Sequence, residues 1–297
     1  MTGIDPTAVF EERRRHLFGL AYRILGSRAD AEDAVQDVFI KWLAADHASI
    51  ATPAAWLTAI CTRHCIDMLR DAQRSRVDYV GTWLPEPIHT QTEDTPETHA
   101  LLASSLSMAF LLLLERLTPR ERAAYLLHEI FETPYAEVAE MLDIKEAACR
   151  KLVSRASTSI AQGRVRHVTP PKVQDDLLTA FREAITAGST ESLANLLSDD
   201  IALSTDSGGK VASVEGIFQG KGSVLTLLTT QLARYWAHYE WVPCEINGGR
   251  AIQLRMNGEI AAAITFAYND EGKANNIFII RNPDKLDGLA FGPEAVA

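Results

Sequence analysis

The residues that read most directly as chemistry lie between Thr133 and Arg155, in TPYAEVAEMLDIKEAACRKLVSR. Tyr135, Val138, Ala139 and Leu142 recur at helical spacing, with Thr133 as a candidate N-cap and Pro134 at the first helical position. Asp143, Ile144 and Lys145 interrupt that helix. A second helix from Glu146 turns Cys149, Leu152, Val153 and Ala156 inward and leaves Lys145, Glu146, Arg150, Lys151, Ser154 and Arg155 free to face a nucleic-acid groove. From Lys145 to His167 six Lys or Arg stand against one acid, in a chain of net charge -10. A local cationic patch in an acidic chain fits phosphate neutralisation; the alternative is a solvated face on two amphipathic helices.

Two further clusters have opposite sign. On the helix around ADAEDAVQDVF, the face complementary to Ala31, Ala34, Val35, Val38 and Trp42 carries Asp30, Glu32, Asp33, Gln36 and Asp37, which disfavours DNA and suits a basic protein surface or plain solvent. The next helix carries Arg63, His64, Arg70, Arg74 and Arg76, cations suited to phosphates, with Trp56 as a stacking platform or, sharing a face with Leu57 and Ile60, as core. Cys61, His64 and Cys65 share one helical turn but find no fourth ligand at matching spacing, so no metal is expected and the four cysteines read as reduced thiols.

The elements that carry these residues divide the 297-residue chain into blocks. Residues 1–77 are helical throughout. Residues 78–100 shift to Pro, Thr, Glu and Asp without a period and read as a linker, stiffened by Pro85 and Pro87 and presenting an exposed Trp83. A second helical block covers 101–167, closed by Pro170 and Pro171. Residues 168–297 open with two helices, in DLLTAFREAITAGSTESLANLLS, and continue as strands separated by turns such as Asn247-Gly248-Gly249 and Asn257-Gly258. An antiparallel meander is expected, with the helix GSVLTLLTTQLARYW packed on the sheet. At 47% hydrophobic and 23% charged residues, with no apolar run of membrane-spanning length and no basic-plus-apolar leader, the chain reads as a cytoplasmic globular protein without a membrane partner.

This order of blocks resembles the extracytoplasmic-function sigma factors that carry a fused SnoaL-like C-terminal domain. The resemblance rests on Trp83-Leu84-Pro85-Glu86-Pro87 (a WLPEP motif), Asp206-Ser207-Gly208-Gly209-Lys210 (a DGGGK-type loop with Ser207 in place of one glycine) and Asn282-Pro283-Asp284-Lys285-Leu286 (an NPDKL-type motif). It implies a multidomain fold: an all-α sigma region 2, an all-α sigma region 4, and an α+β tail of the nuclear-transport-factor-2-like kind. It implies a specificity subunit of RNA polymerase rather than an enzyme, needing no cofactor, with core polymerase and promoter DNA as partners. Core polymerase would dock on Asp30, Glu32, Asp33, Gln36 and Asp37. The minus-ten element falls to Arg63, His64, Arg70, Arg74 and Arg76, and the minus-thirty-five element to the helix from Glu146. The three motifs would join tail and linker. A tail pocket offers Asp206, His238, Tyr239 and Glu240 as polar groups for catalysis or small-molecule sensing. The competing class is a helix-turn-helix regulator with a ligand-binding tail, which does not require stoichiometric association with core polymerase.

Overall fold

The computed structural model describes residues 5–75, 78–90, 104–161, 169–214 and 216–290. The chain forms two compact units. One comprises residues 1–77 with 113–163; the other comprises 78–112 with 164–296. Of the described residues, 78–90 and 104–112 therefore group with the tail, the latter beyond the expected linker end at residue 100.

In the first unit, α1 (Pro6–Leu25) starts at Asp5, whose carboxylate accepts the Thr7 N–H, and ends at Gly26, whose φ of 70° provides the left-handed exit. α2 (Arg28–Leu43) is capped by the Ser27 hydroxyl, and α3 (Pro53–Ser75) packs against both. Leu17, Leu20, Ile24, Val38, Leu57 and Leu69 are buried. Trp42 is buried too, donating from Nε1 to the Pro6 carbonyl at 2.7 Å. Trp56 is half-buried with its ring centroid 5.5 Å from that of Trp42, which decides for packing over a free stacking platform.

After α4 (Met108–Leu114), α5 (Pro119–Tyr125) begins with a reciprocal Thr118–Glu121 capping box and runs on through a wider π turn, Leu126–Ile130. α6 (Tyr135–Met141) and α7 (Glu146–Ala161) follow. The turn between them is closed by Asp143 at φ 52°, a conformation that Asp tolerates better than most side chains, and by the Ile144 N–H donating to the Ala139 carbonyl. The expected cap differs: Pro134, not Thr133, occupies the N-cap position and offers no side-chain bond, while the Thr133 N–H donates to the Leu127 carbonyl.

The second unit is built on a sheet that, among the described residues, has six strands in the order β2-β1-β6-β5-β4-β3: β1 (Leu197–Asp206), β2 (Ile217–Gln219), β3 (Glu240–Ile246), β4 (Gly249–Met256), β5 (Glu259–Tyr268) and β6 (Ala274–Ile280). The meander β3 to β6 is antiparallel as expected, whereas β1 joins β6 in parallel. α8 (Pro171–Thr186), α9 (Glu191–Leu196) and the helical stretch opened by α10 (Lys221–Leu227) cover one face over Leu177, Phe181, Trp236, Ile252, Leu254 and Ile277. Leu197 and Ser198, expected at the end of a helix, start β1 instead. A separate apolar cluster joins Leu84 and Met108 to Ile246, Ala263, Phe278 and Ile280 of the sheet and to Leu286 and Leu289 of α11 (Pro283–Ala290).

Candidate nucleic-acid interface and linker anchor

The burial pattern of α7 follows the spacing read from the sequence. Cys149, Val153 and Ala156 are buried, Leu152 is half-buried, and Lys145, Glu146, Arg150, Lys151, Ser154 and Arg155 are exposed. Arg150 is held in place: Nη2 donates to Glu146 Oε1 at 2.6 Å and the guanidinium lies 4.3 Å from the centroid of Tyr135, whose ring stacks on His128. An exposed i,i+4 pair adds little stability, about 0.3–0.5 kcal/mol, so its main effect is to set direction. Tyr135 is thereby partly a platform for Arg150 rather than pure core.

On α2, Glu32, Asp33, Gln36 and Asp37 are exposed, and Asp30 is half-buried in the first turn, where a negative charge also favours the helix terminus. Glu32 pairs with Arg28 at 2.7 Å. Beside these acids, Ile40 and Leu43 are more than half exposed. An acidic strip edged with apolar residues fits a partner surface that is basic and apolar together. The apolar edge escaped sequence reasoning because both residues fall within ordinary helical periodicity.

The basic set on α3 does not act together. Among the described residues Arg70 and Arg74 are exposed and pair with Asp67 and Asp71 at i,i+3. His64 bonds Asp37 Oδ2 through Nε2 at 2.9 Å, which ties it to the acidic strip and away from Cys61 and Cys65. Those thiols are buried, 4.0 Å apart; the hydrogen bond to Cys61 and burial push Cys65 well up. Arg63 donates from Nε to the Met141 carbonyl at 2.7 Å and from Nη2 to the Glu140 carbonyl at 3.1 Å, at the C-terminal, electronegative end of α6. Its guanidinium is thus engaged by the helix-turn-helix instead of being open to DNA. Arg76 lies outside the described residues. Arg122, buried at 1% exposure, likewise donates from Nη1 to the Ile24 carbonyl at the end of α1.

The three tail and linker motifs converge on one carboxylate. Asp206, at the end of β1 and fully buried, accepts from Tyr79 Oη at 2.5 Å, the Leu84 N–H at 2.8 Å, the Gly208 N–H at 3.1 Å and Lys285 Nζ at 2.7 Å. Four donors answer both carboxylate oxygens, which is what a buried carboxylate needs. Lys285, 12% exposed, also donates to the Leu84 carbonyl at 2.5 Å and sits over the rings of Trp83 and Tyr79 at 4.5 and 4.9 Å. Asn282 caps α11 through Oδ1 and donates from Nδ2 to Tyr79 Oη at 2.9 Å. Burial, with the Asp206 bond added, pushes the Tyr79 phenol up, so it remains a donor. Lys210 pairs with Asp284.

Gly208, at φ 58°, packs so tightly that a Cβ there would lie 2.5 Å from Asn282 Nδ2, and one on Gly209 would lie 3.0 Å from Val80 Cγ1. Leu84, Pro85, Glu86 and Pro87 are buried, and Pro283, Asp284 and Leu286 fall on the first turns of α11. Trp83 corrects the expectation of an exposed ring: it is half-buried beneath Lys285, because the surface it was expected to offer is already taken by the tail. Tyr79 is the member of this cluster that sequence reasoning missed, since it precedes the motif and its partner stands 127 positions away.

The polar groups considered for tail catalysis do not converge. Asp206 is spent on the linker, while His238 and Glu240 are exposed at the start of β3, and β6, β5 and β4 stand between β1 and β3. Among the described residues no three His, Cys, Asp or Glu cluster to hold a metal, and no helix is long and apolar enough to cross a membrane.

A helical unit with an exposed acidic strip on α2 and a basic outward face on α7, together with an α+β tail that grips the segment after residue 77, is the arrangement of a transcription-initiation factor with a fused accessory domain. The comparisons agree. Residues 9–75 match Sigma-70 region 2 and residues 107–160 match Sigma-70 region 4. The chain is 34% identical to the ECF RNA polymerase sigma factor SigJ of Mycobacterium tuberculosis, covering 94% of this chain and 92% of that protein, and 29% identical to the probable ECF sigma factor SigI of the same organism, covering 97% and 98%. The crystal structure of the M. tuberculosis SigJ superposes with a TM-score of 0.74 at 31% identity, covering 95% of this chain and 98% of that one. The chain belongs to the extracytoplasmic-function RNA polymerase sigma factors, with helical sigma regions and a SnoaL-like tail. Members of this family are specificity subunits that bind core RNA polymerase and promoter DNA.

Proposed function

We propose that this sigma factor is restrained by its own tail, which holds the linker and so limits how far its two DNA-reading regions can part. In this reading residues 1–77 bind core polymerase through Asp30, Glu32, Asp33, Gln36 and Asp37 and the minus-ten element through Arg70 and Arg74, with Arg63 joining them once freed. Residues 101–167 read the minus-thirty-five element through α7, and residues 168–297 regulate rather than catalyse, all in the cytoplasm. The supporting observation is the buried Asp206 carboxylate, whose side-chain bonds outside its own loop go to Tyr79 and Leu84 of the linker and to Lys285, which itself bonds the Leu84 carbonyl.

Geometry supplies the reason for restraint. Elements centred at minus ten and minus thirty-five lie more than two duplex turns apart, about 70–85 Å along B-form DNA. In the first unit Arg63 of α3 touches the end of α6 at 2.7 Å, and α7, at 16 residues, is only about 24 Å long. Reading both elements at once requires the two regions to separate and Arg63 to leave its carbonyls. A linker docked along the tail shortens the reach that separation needs. Asp206→Asn keeps the shape and removes the charge that holds Lys285. With core polymerase and a cognate promoter, at limiting protein, it is expected to give several-fold more promoter complex than the wild type, and an unchanged yield rejects the restraint.

A further inference from the structure

A second point of attachment lies just past the WLPEP motif, at a turn whose sequence marked it only as a hairpin. Asn247 and Gly248 join β3 to β4 with φ of 54° and 76°, the pair of positive values that a tight hairpin turn demands and that Asn-Gly or Asp-Gly supplies. Such a turn leaves the Asn side chain free to face water. Here it is 3% exposed. Oδ1 accepts the Ile88 N–H at 3.3 Å, Nδ2 donates to the Leu106 carbonyl at 2.9 Å, and the Asn247 N–H donates to the Ile88 carbonyl at 3.0 Å. Ile88 directly follows the WLPEP motif, and Leu106 directly precedes residue 107, where the match to region 4 begins.

Neighbouring bonds strengthen the grip. The Thr90 N–H donates to the Glu245 carbonyl, the Gly248 N–H donates to Thr90 Oγ1, and His89 forms an antiparallel bridge with Ile246. β3 is the last strand of the sheet, so residues 88–90 cover backbone groups that an edge strand leaves unpaired. Beneath the turn, Ile246 shares the apolar cluster with Leu84 and Met108. The choice of Asn over Asp follows from Leu106: an aspartate would serve the turn and the Ile88 N–H equally well but has no donor for a carbonyl.

We infer that Asn247 is a second anchor, acting independently of Asp206, which clasps the linker at Ile88 and the start of the second helical block at Leu106 and thereby positions the linker for restraint of promoter binding. The inference rests on the restraint reading and extends it to a residue outside the three motifs. Each anchor has its own reporter, because the Leu84 amide bonds Asp206 and the Ile88 amide bonds Asn247.

The test uses the full chain, with amide hydrogen exchange in the free protein and promoter-complex yield with core polymerase. Asn247→Gly, which suits the positive φ, is expected to speed Ile88 exchange tenfold or more, leave Leu84 exchange unchanged and raise promoter-complex yield in the same direction as Asp206→Asn. Asn247→Asp, which also suits the turn, should keep Ile88 protected and still raise the yield, since it loses Leu106. Ile88 exchange unaffected by Asn247→Gly, Ile88 and Leu84 opening together, or wild-type yield from Asn247→Asp would each overturn the second anchor. Should Asp206→Asn raise the yield while Asn247→Gly does not, the anchor falls and the restraint stands. Should both amides open with neither variant changing the yield, the restraint falls and the anchor's role in promoter binding falls with it.

Discussion

Lys285→Met is expected to lower the stability of the tail unit by about 3–5 kcal/mol, because it leaves the Asp206 carboxylate buried without its counter-charge. The methionine fills similar space, so the loss reflects charge rather than packing. Asp206 keeps its bonds from Tyr79, Leu84 and Gly208, but three neutral donors do not replace an ammonium at 2.7 Å when the acid is fully buried and Lys285 is only 12% exposed. The check is a double-mutant cycle in thermal or denaturant unfolding. Combining Lys285→Met with Asp206→Asn should cost clearly less than the sum of the two single changes, because the pair is removed together. Additive costs would mean that the two side chains do not sense one another.

Arg150→Ala carries the second large effect. Arg150 is exposed on α7 and held by Glu146 and Tyr135, so its guanidinium is pre-positioned on that face at low conformational cost. If Arg150 reads a base edge, its removal should weaken binding to the cognate upstream element by about 1–3 kcal/mol and relax preference at that position, with little change on random duplex. Lys151→Ala offers the contrast, since a lysine that only neutralises phosphate strengthens all sequences alike, and removing it should weaken them alike and lower the salt slope by about one. Measured across a promoter series and a salt series, equal weakening on cognate and random DNA for Arg150→Ala would reduce Arg150 to a phosphate-binding role.

What the sequence made legible follows from the range of the forces involved. α7 could be read because period and charge are local: burial of Cys149, Val153 and Ala156 and exposure of Arg150, Lys151 and Arg155 come from spacing alone. The meander could be read from its turns. The parallel pairing of β1 with β6 could not, because no turn joins them and the register is set between residues more than seventy positions apart. The same limit explains Arg63: its cationic type suggested phosphate, while its place beside α6 gives it two helix-end carbonyls as acceptors. Trp83 read as exposed because a Pro-rich stretch lacks a period, yet its docking partner, Lys285, arrives from 202 positions along the chain. The motif resemblance pointed to an association of linker and tail without indicating that Asp206 is its hub, that Tyr79 takes part, or that Asn247 bonds Ile88 and Leu106.

The most direct measurement is amide hydrogen exchange at Leu84 in the wild-type protein, first free and then bound to core polymerase on its promoter. Binding and docking that oppose one another do so reciprocally. The Leu84 amide, held by a fully buried carboxylate in the free protein, should lose its protection by tenfold or more in the promoter complex. Protection that survives unchanged in that complex would contradict the restraint, because the linker would then be docked while both promoter elements are read.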